Sequence, residues 1–155
     1  MRLQVSTRLA IFAVLELTAG EGRQLSVAEI GEKYGVSSHH LAKVMHVLGR
    51  AGLVRSIRGA GGGYQFVGNA RRTTLLDVAQ LFEDLSSAEH STGSGDATHE
   101  EQALSGILNE VDEIARATLG SITIATMRKL VDRRDAGAGQ YLKEGATRRR
   151  NSQRL

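Results

Sequence analysis

Between residues 26 and 67 the chain sets out a short helix, a tight turn, a longer helix and a glycine-rich hairpin with almost nothing between them, and this order restricts the fold more than any other feature. Ser26 followed three residues later by Glu29 is a capping box that opens a helix through Tyr34, and Gly35 stops it. Val36 and Ser37 lead into a second helix over 38–51, in which Leu41, Val44, Met45 and Leu48 recur at three and four, and Gly52 ends it. Two helices joined by a tight glycine turn are the helix-turn-helix pattern, whose second helix enters a major groove. The next stretch, LVRSIRGAGGGYQFV at 53–67, holds four glycines and two arginines between two β-prone runs, and the whole chain has no proline. It reads as a hairpin fused to the end of the second helix, which makes the unit a winged helix.

A glycine-rich loop also suggests a phosphate cradle, but the residues match neither nucleotide-binding motif. A Walker loop ends in Gly-Lys-Ser/Thr before a helix, whereas Gly63 is followed by Tyr64-Gln-Phe in a strand. A dinucleotide fingerprint needs a third glycine opening a helix, and Tyr64 stands in that place with no helix after it. What remains is a turn with positive φ and no side-chain bulk, whose backbone N–H groups approach another surface closely. With Arg55 and Arg58 at its base, that surface is most simply a DNA backbone or minor groove. The alternative is a flexible hairpin with two solvated arginines.

The flanks fit a mainly α (α+β) fold. Ser6 can cap a first helix whose Leu9, Ile11, Phe12, Val14, Leu15 and Leu17 make it apolar on most sides, with an end at Gly20 and Gly22. Gln24 and Leu25 are a short extended piece. Thr74 caps a helix of about ten residues, and 86–98 is a Ser/Gly/Asp-rich loop expected to be mobile. From His99 to Leu119 a long helix carries Leu104, Ile107, Leu108, Val111 and Ile114 in one apolar stripe suited to a partner helix. Gly120 is expected to interrupt it, and Thr123 to cap a short closing helix ending at Val131. The predicted organisation is a DNA-binding region at 1–72, a connecting helix and loop at 73–98, dimerisation and closing helices at 99–131, and a disordered basic tail at 132–155.

Charge is segregated along this order. Residues 1–72 hold ten Lys and Arg against four Asp and Glu; 73–131 hold three against ten; 132–155 hold seven against three. A basic front points first to nucleic acid, because neutralising phosphates releases counterions and supplies most of the non-specific affinity; a solvated surface is the alternative. The absence of cysteine excludes disulfides, thiolate catalysis and cysteine-ligated zinc or iron–sulphur clusters. No apolar run approaches the about 20 residues of a membrane span, and the Met1-Arg2-Leu3 start lacks the features of a secretory signal, so a cytoplasmic protein is expected.

The stretch GVSSHHLAKVMHVLGRAGLVRSIRGAGGGY at 35–64 resembles the IscR/NsrR/BadM (Rrf) family of bacterial winged-helix regulators, and the likeness runs from the first residues to about Val131. The resemblance implies a winged helix-turn-helix with a long C-terminal dimerisation helix, acting on double-stranded DNA as a homodimer at a palindromic operator. On it, Ser38, His39, His40 and Lys43 fall on the exposed recognition face. Residues 55–64 form the wing, including Arg55, Arg58, Gly61, Gly62, Gly63 and Tyr64, and Arg2, Ser6 and Thr7 lie near phosphates. Leu104, Ile107, Leu108, Val111 and Ile114 form the dimer seam. Many members hold an iron–sulphur cluster through three cysteines in the loop that corresponds to 86–102, and this chain has none there. It is either a cluster-free member answering to a small-molecule or protein effector, or one whose cysteines were replaced, with Ser91, Ser94 and Ala97 as the places.

The remaining polar groups add no chemistry of their own. His39 and His40 diverge by about 100° around a helix and His46 lies roughly 10 Å beyond His39, so the three cannot share a metal. His90, Asp96, His99, Glu100 and Glu101 could gather around a divalent ion if their loop orders, but 99–103 lacks the second histidine of a zincin. Glu110, Asp112 and Glu113 are the solvated face of a helix. No nucleophile elbow or motif-placed base is present, so no enzyme, cofactor or metal site is expected. The reading is a sequence-specific DNA-binding regulator, with repression as the expected mode. Its rivals are a protein-interaction module whose winged helix no longer reads DNA, and a metal- or ligand-responsive protein using 90–101.

Overall fold

A computed structural model describes residues 3–83 and 98–137 of the chain. The first helix, α1 (Val5–Leu17), is apolar around most of its circumference and buries Leu9, Ala10, Ile11, Ala13, Val14, Leu15 and Leu17 at the centre of the core. Ser6 does not cap it. Gln4 occupies the cap position, and the acceptor is the Glu83 carboxylate, which takes the Gln4 backbone N–H at 2.6 Å and the Thr7 hydroxyl at 2.5 Å. The helix stops at Leu17, ahead of the glycines, where the Thr18 hydroxyl bonds back to the Val14 and Leu15 carbonyls.

The central motif follows the expected order. The Ser26/Glu29 capping box opens α2 (Val27–Tyr34), and Gly35 leaves it in the left-handed region at φ 64°. Ser37 then caps α3 (Ser38–Arg50) by accepting the His40 backbone N–H at 3.2 Å. Leu41, Val44, Met45 and Leu48 of α3 pack on α1, which holds the helix by one face and leaves the other outside.

The hairpin is β2 (Val54–Ile57) and β3 (Gly63–Phe66), paired antiparallel with Val54 opposite Phe66 and Ile57 opposite Gly63. The extended piece Gln24–Leu25 is β1, and it pairs with the free edge of β3 to make a three-stranded sheet of order β1-β3-β2. Val54, Tyr64 and Phe66 turn inward onto the helices.

Helix α4 (Leu75–Ala79) is five residues long, half the expected length. Its end tightens through Leu81 and Phe82 N–H bonds to carbonyls three residues back, and that turn brings Glu83 to the start of α1. Helix α5 (His99–Ser121), opened by a Thr98/Glu101 capping box, runs through Gly120 without a break; a Cβ built there would meet Leu76 at 3.4 Å, ordinary contact. Thr123 caps a last helix over 124–137, which continues past the expected end at Val131, with an Arg128–Asp132 ion pair at 2.5 Å across that boundary. Residues 132–137, expected in the tail, are therefore helical, and 138–155 lies outside the described residues. Among the described residues no helix is long and apolar enough to cross a membrane.

Candidate nucleic-acid interface

Because α3 is gripped by its apolar face, its other face is fixed toward solvent. Ser38, His39, Lys43, His46 and Arg50 are exposed along it. The first three were expected there; His46 and Arg50 were not among the expected contacts, although the spacing 39, 43, 46, 50 places them on the same stripe. His40 is different: it is half-buried, with Nε2 3.4 Å from the Ser6 hydroxyl of α1, so it joins the two helices. Thr7, expected near phosphates, is fully buried and spends its hydroxyl on Glu83, so its side chain offers nothing to an outside acceptor. Ser6 is half-buried, and Arg2 lies outside the described residues.

On the hairpin, Arg55 and Arg58 are exposed. Gly61 has φ 74°, the conformation the tip requires and a side chain resists. Gly63 answers to a different constraint. A Cβ there would stand 2.5 Å from the Leu25 carbonyl oxygen, so the residue is glycine to let β1 close on β3. Gly62 likewise has no room beside the Ile57 and Gly59 carbonyls. Part of the glycine run thus belongs to the fold of the hairpin, and Tyr64 is half-buried against the core.

The electrostatics separate two sets of cations. Lys33 and Arg23 face the buried carboxylate of Glu16, which also accepts the Tyr34 hydroxyl at 2.8 Å. Burial acts to raise the Glu16 pKa, but the hydrogen bonds from Lys33 and Tyr34 and the two positive charges outweigh it and hold the carboxyl below its ordinary value. Burial and the bond to Glu16 push the Tyr34 phenol up, so it stays a donor. By contrast Lys43, Arg50, Arg58, Arg71 and Arg72 have no acidic partner among the described residues. These unneutralised cations lie on α3, on the hairpin and just after it.

Helix α5 buries none of its residues within the subunit. Leu104, Ile107, Val111 and Ile114 are more than half exposed and Leu108 is 38% exposed, and Leu130 of the last helix, which sequence reading did not single out, is 44% exposed. His90, Asp96, Ser91, Ser94 and Ala97 lie outside the described residues. His99, Glu100 and Glu101 are exposed at the start of α5, and Glu101 is engaged as the cap partner of Thr98.

A capped helix pair presenting one helix outward, followed directly by a cationic glycine-tipped wing, defines a winged helix-turn-helix DNA-binding transcriptional regulator. Residues 3–129 match the family model Rrf2, described as an iron-dependent transcriptional regulator. The chain is 49% identical over 133 residues to a Rhodopseudomonas palustris protein named as the HTH-type transcriptional regulator BadM, covering 85% of this chain and 84% of that one. Among solved structures it is similar to CymR (YrzC), the global cysteine regulator of B. subtilis, at TM-score 0.67 and 25% identity over 84% of this chain and 98% of that one. It is also similar to T. potens IscR, at TM-score 0.63 and 27% identity over 84% and 88%. The chain belongs to the Rrf2 family of transcriptional regulators.

A thiolate-held iron cluster does not fit the donors of this chain. With no cysteine, the chain cannot hold a cluster on its own thiolates, and among the described residues no three His, Asp or Glu side chains come together.

Proposed function

We propose that this DNA-binding regulator works as a cytoplasmic homodimer on a palindromic operator, represses transcription, and carries out no catalysis. The observation that carries the reading is the set of cations on α3 and the wing that have no acidic partner among the described residues, while Arg23 and Lys33 are drawn to Glu16. The unburied stripe Leu104, Ile107, Leu108, Val111 and Ile114 supports the dimer, because a two-fold axis lets the same apolar patch cover itself. Two subunits so joined present two copies of α3 to successive major grooves about 34 Å apart. Ser38, His39 and Lys43 would meet base edges and phosphates there, with Arg55 and Arg58 at the adjacent groove. The absence of cysteine favours a small-molecule or protein effector over a thiolate-bound cluster.

Titration of binding against salt tests this on the chain's own upstream DNA. Affinity should fall steeply with salt, and Arg58→Ala should reduce the log–log slope by about 0.9 for each contact removed. A wild-type affinity indifferent to salt would overturn the DNA reading, and an Arg58→Ala slope equal to wild type would take the wing out of the interface.

A further inference from the structure

We propose that Gln65 is a positioning residue for DNA recognition, holding the Arg55 guanidinium in one orientation on the wing while leaving its charge intact. This rests on the DNA-binding reading above and adds to it a side chain that makes no nucleic-acid contact itself. The sheet register supplies the geometry: Gln65 of β3 lies directly opposite Arg55 of β2 on one side and Gln24 of β1 on the other, so the three form a polar row across the sheet. That row faces away from the core, since its neighbours Val54, Tyr64 and Phe66 turn inward. Gln65 Oε1 accepts from Arg55 Nε at 3.2 Å and Nη2 at 2.9 Å. A guanidinium has only donors, so the amide oxygen must be the atom facing it. The other end of the amide is seated against the turn before β1, with Nε2 3.6 Å from where a Cβ at Gly22 would stand. The anchor is half-buried and the arginine is exposed.

The choice of a neutral acceptor matters. A carboxylate opposite Arg55 would fix it equally well but would cancel its charge, and no acidic residue pairs with Arg55 among the described residues. Two of the five guanidinium N–H groups are taken by Gln65, which leaves the rest of the fork free, charged and oriented. An arginine already ordered in the free protein does not lose its rotamer entropy on meeting a phosphate oxygen or a base edge.

The test uses the full-length chain and a duplex selected by the wild-type protein from a randomised pool, with binding measured across a range of sodium chloride. Gln65→Leu should weaken binding about three- to tenfold, the cost of ordering one long side chain, with the salt slope unchanged because no charge is altered. Gln65→Glu should weaken binding with a slope lower by about 0.9 per subunit, because the fork stays fixed but its charge is offset. In an Arg55→Ala background, Gln65→Leu should have no further effect, while thermal melting of Gln65→Glu and Gln65→Leu reports any loss of the sheet. Wild-type affinity in Gln65→Leu, or an equal loss with and without Arg55, overturns the proposal and leaves the DNA reading standing. A wild-type protein that selects no duplex overturns both.

Discussion

Glu16 shows how much a single side chain decides when it is buried. Its carboxylate ties α1 to α2 through Lys33 and Tyr34, and the Tyr34 ring stacks on Phe12 with centroids 5.0 Å apart. Because the folded pKa is held below the ordinary 4.5, the stabilisation is complete above that value and is lost as pH falls through the lower folded value. Glu16→Gln should therefore cost about 1–2 kcal/mol at neutral pH, a figure kept small because Lys33 and Arg23 are half exposed and stay solvated. In urea unfolding, the gap between variant and wild type should close as pH falls below 4.5 and Glu16 becomes protonated in the folded state; a gap that persists at low pH would assign the effect to packing. Gly63 makes a second residue-scale case. Gly63→Ala forces a Cβ onto the Leu25 carbonyl and should cost about 1–3 kcal/mol, whereas Gly20→Ala, with nothing within 4 Å, should leave the midpoint in place. Equal midpoints for the two would mean that the β1–β3 approach is not what fixes glycine at 63.

At the scale of elements, legibility followed the distance over which each constraint acts. The boxes at Ser26/Glu29, Thr74/Asp77 and Thr98/Glu101 close within three residues, so helix starts could be read from the chain. The start of α1 could not, since its acceptor Glu83 is 79 residues from Gln4. Nor could the short α4, whose following turn carries that carboxylate to α1, or the passage of α5 through Gly120, which sits beside Leu76 despite glycine's weak helix propensity. The α5 stripe was legible because a period of three and four survives whether or not a partner is present. If this exposed stripe is the proposed seam, Ile107→Asp with Val111→Asp should give a monomer by sedimentation that keeps the far-ultraviolet circular dichroism of the folded subunit. Both side chains are more than half exposed and lie outside the core of one subunit. A double variant that sediments as a dimer would move the seam elsewhere.

For the whole molecule, what matters is where the charge ends up. A net charge of +3 would steer nothing strongly, but the fold draws Lys33 and Arg23 to Glu16, while Lys43, Arg50 and Arg58 along α3 and the wing have no acidic partner among the described residues. In the proposed dimer a two-fold axis would double the contacts that one winged helix makes. A dimer-breaking variant should thus show a salt slope near half that of the wild type on the same duplex, by fluorescence anisotropy; an unchanged slope in a proven monomer would mean that one head makes all the contacts.

The order of helices, the hairpin, the missing thiolates and the apolar stripe were fixed by the sequence alone, because each depends on residue type at short, regular spacing. Tertiary structure decided which polar groups meet: Thr7 taken inward by Glu83, Gln24 brought beside Gln65, and Gln65 set opposite Arg55. Those encounters join residues far apart along the chain, and no local pattern encodes which distant donor will satisfy a given acceptor once the core has closed.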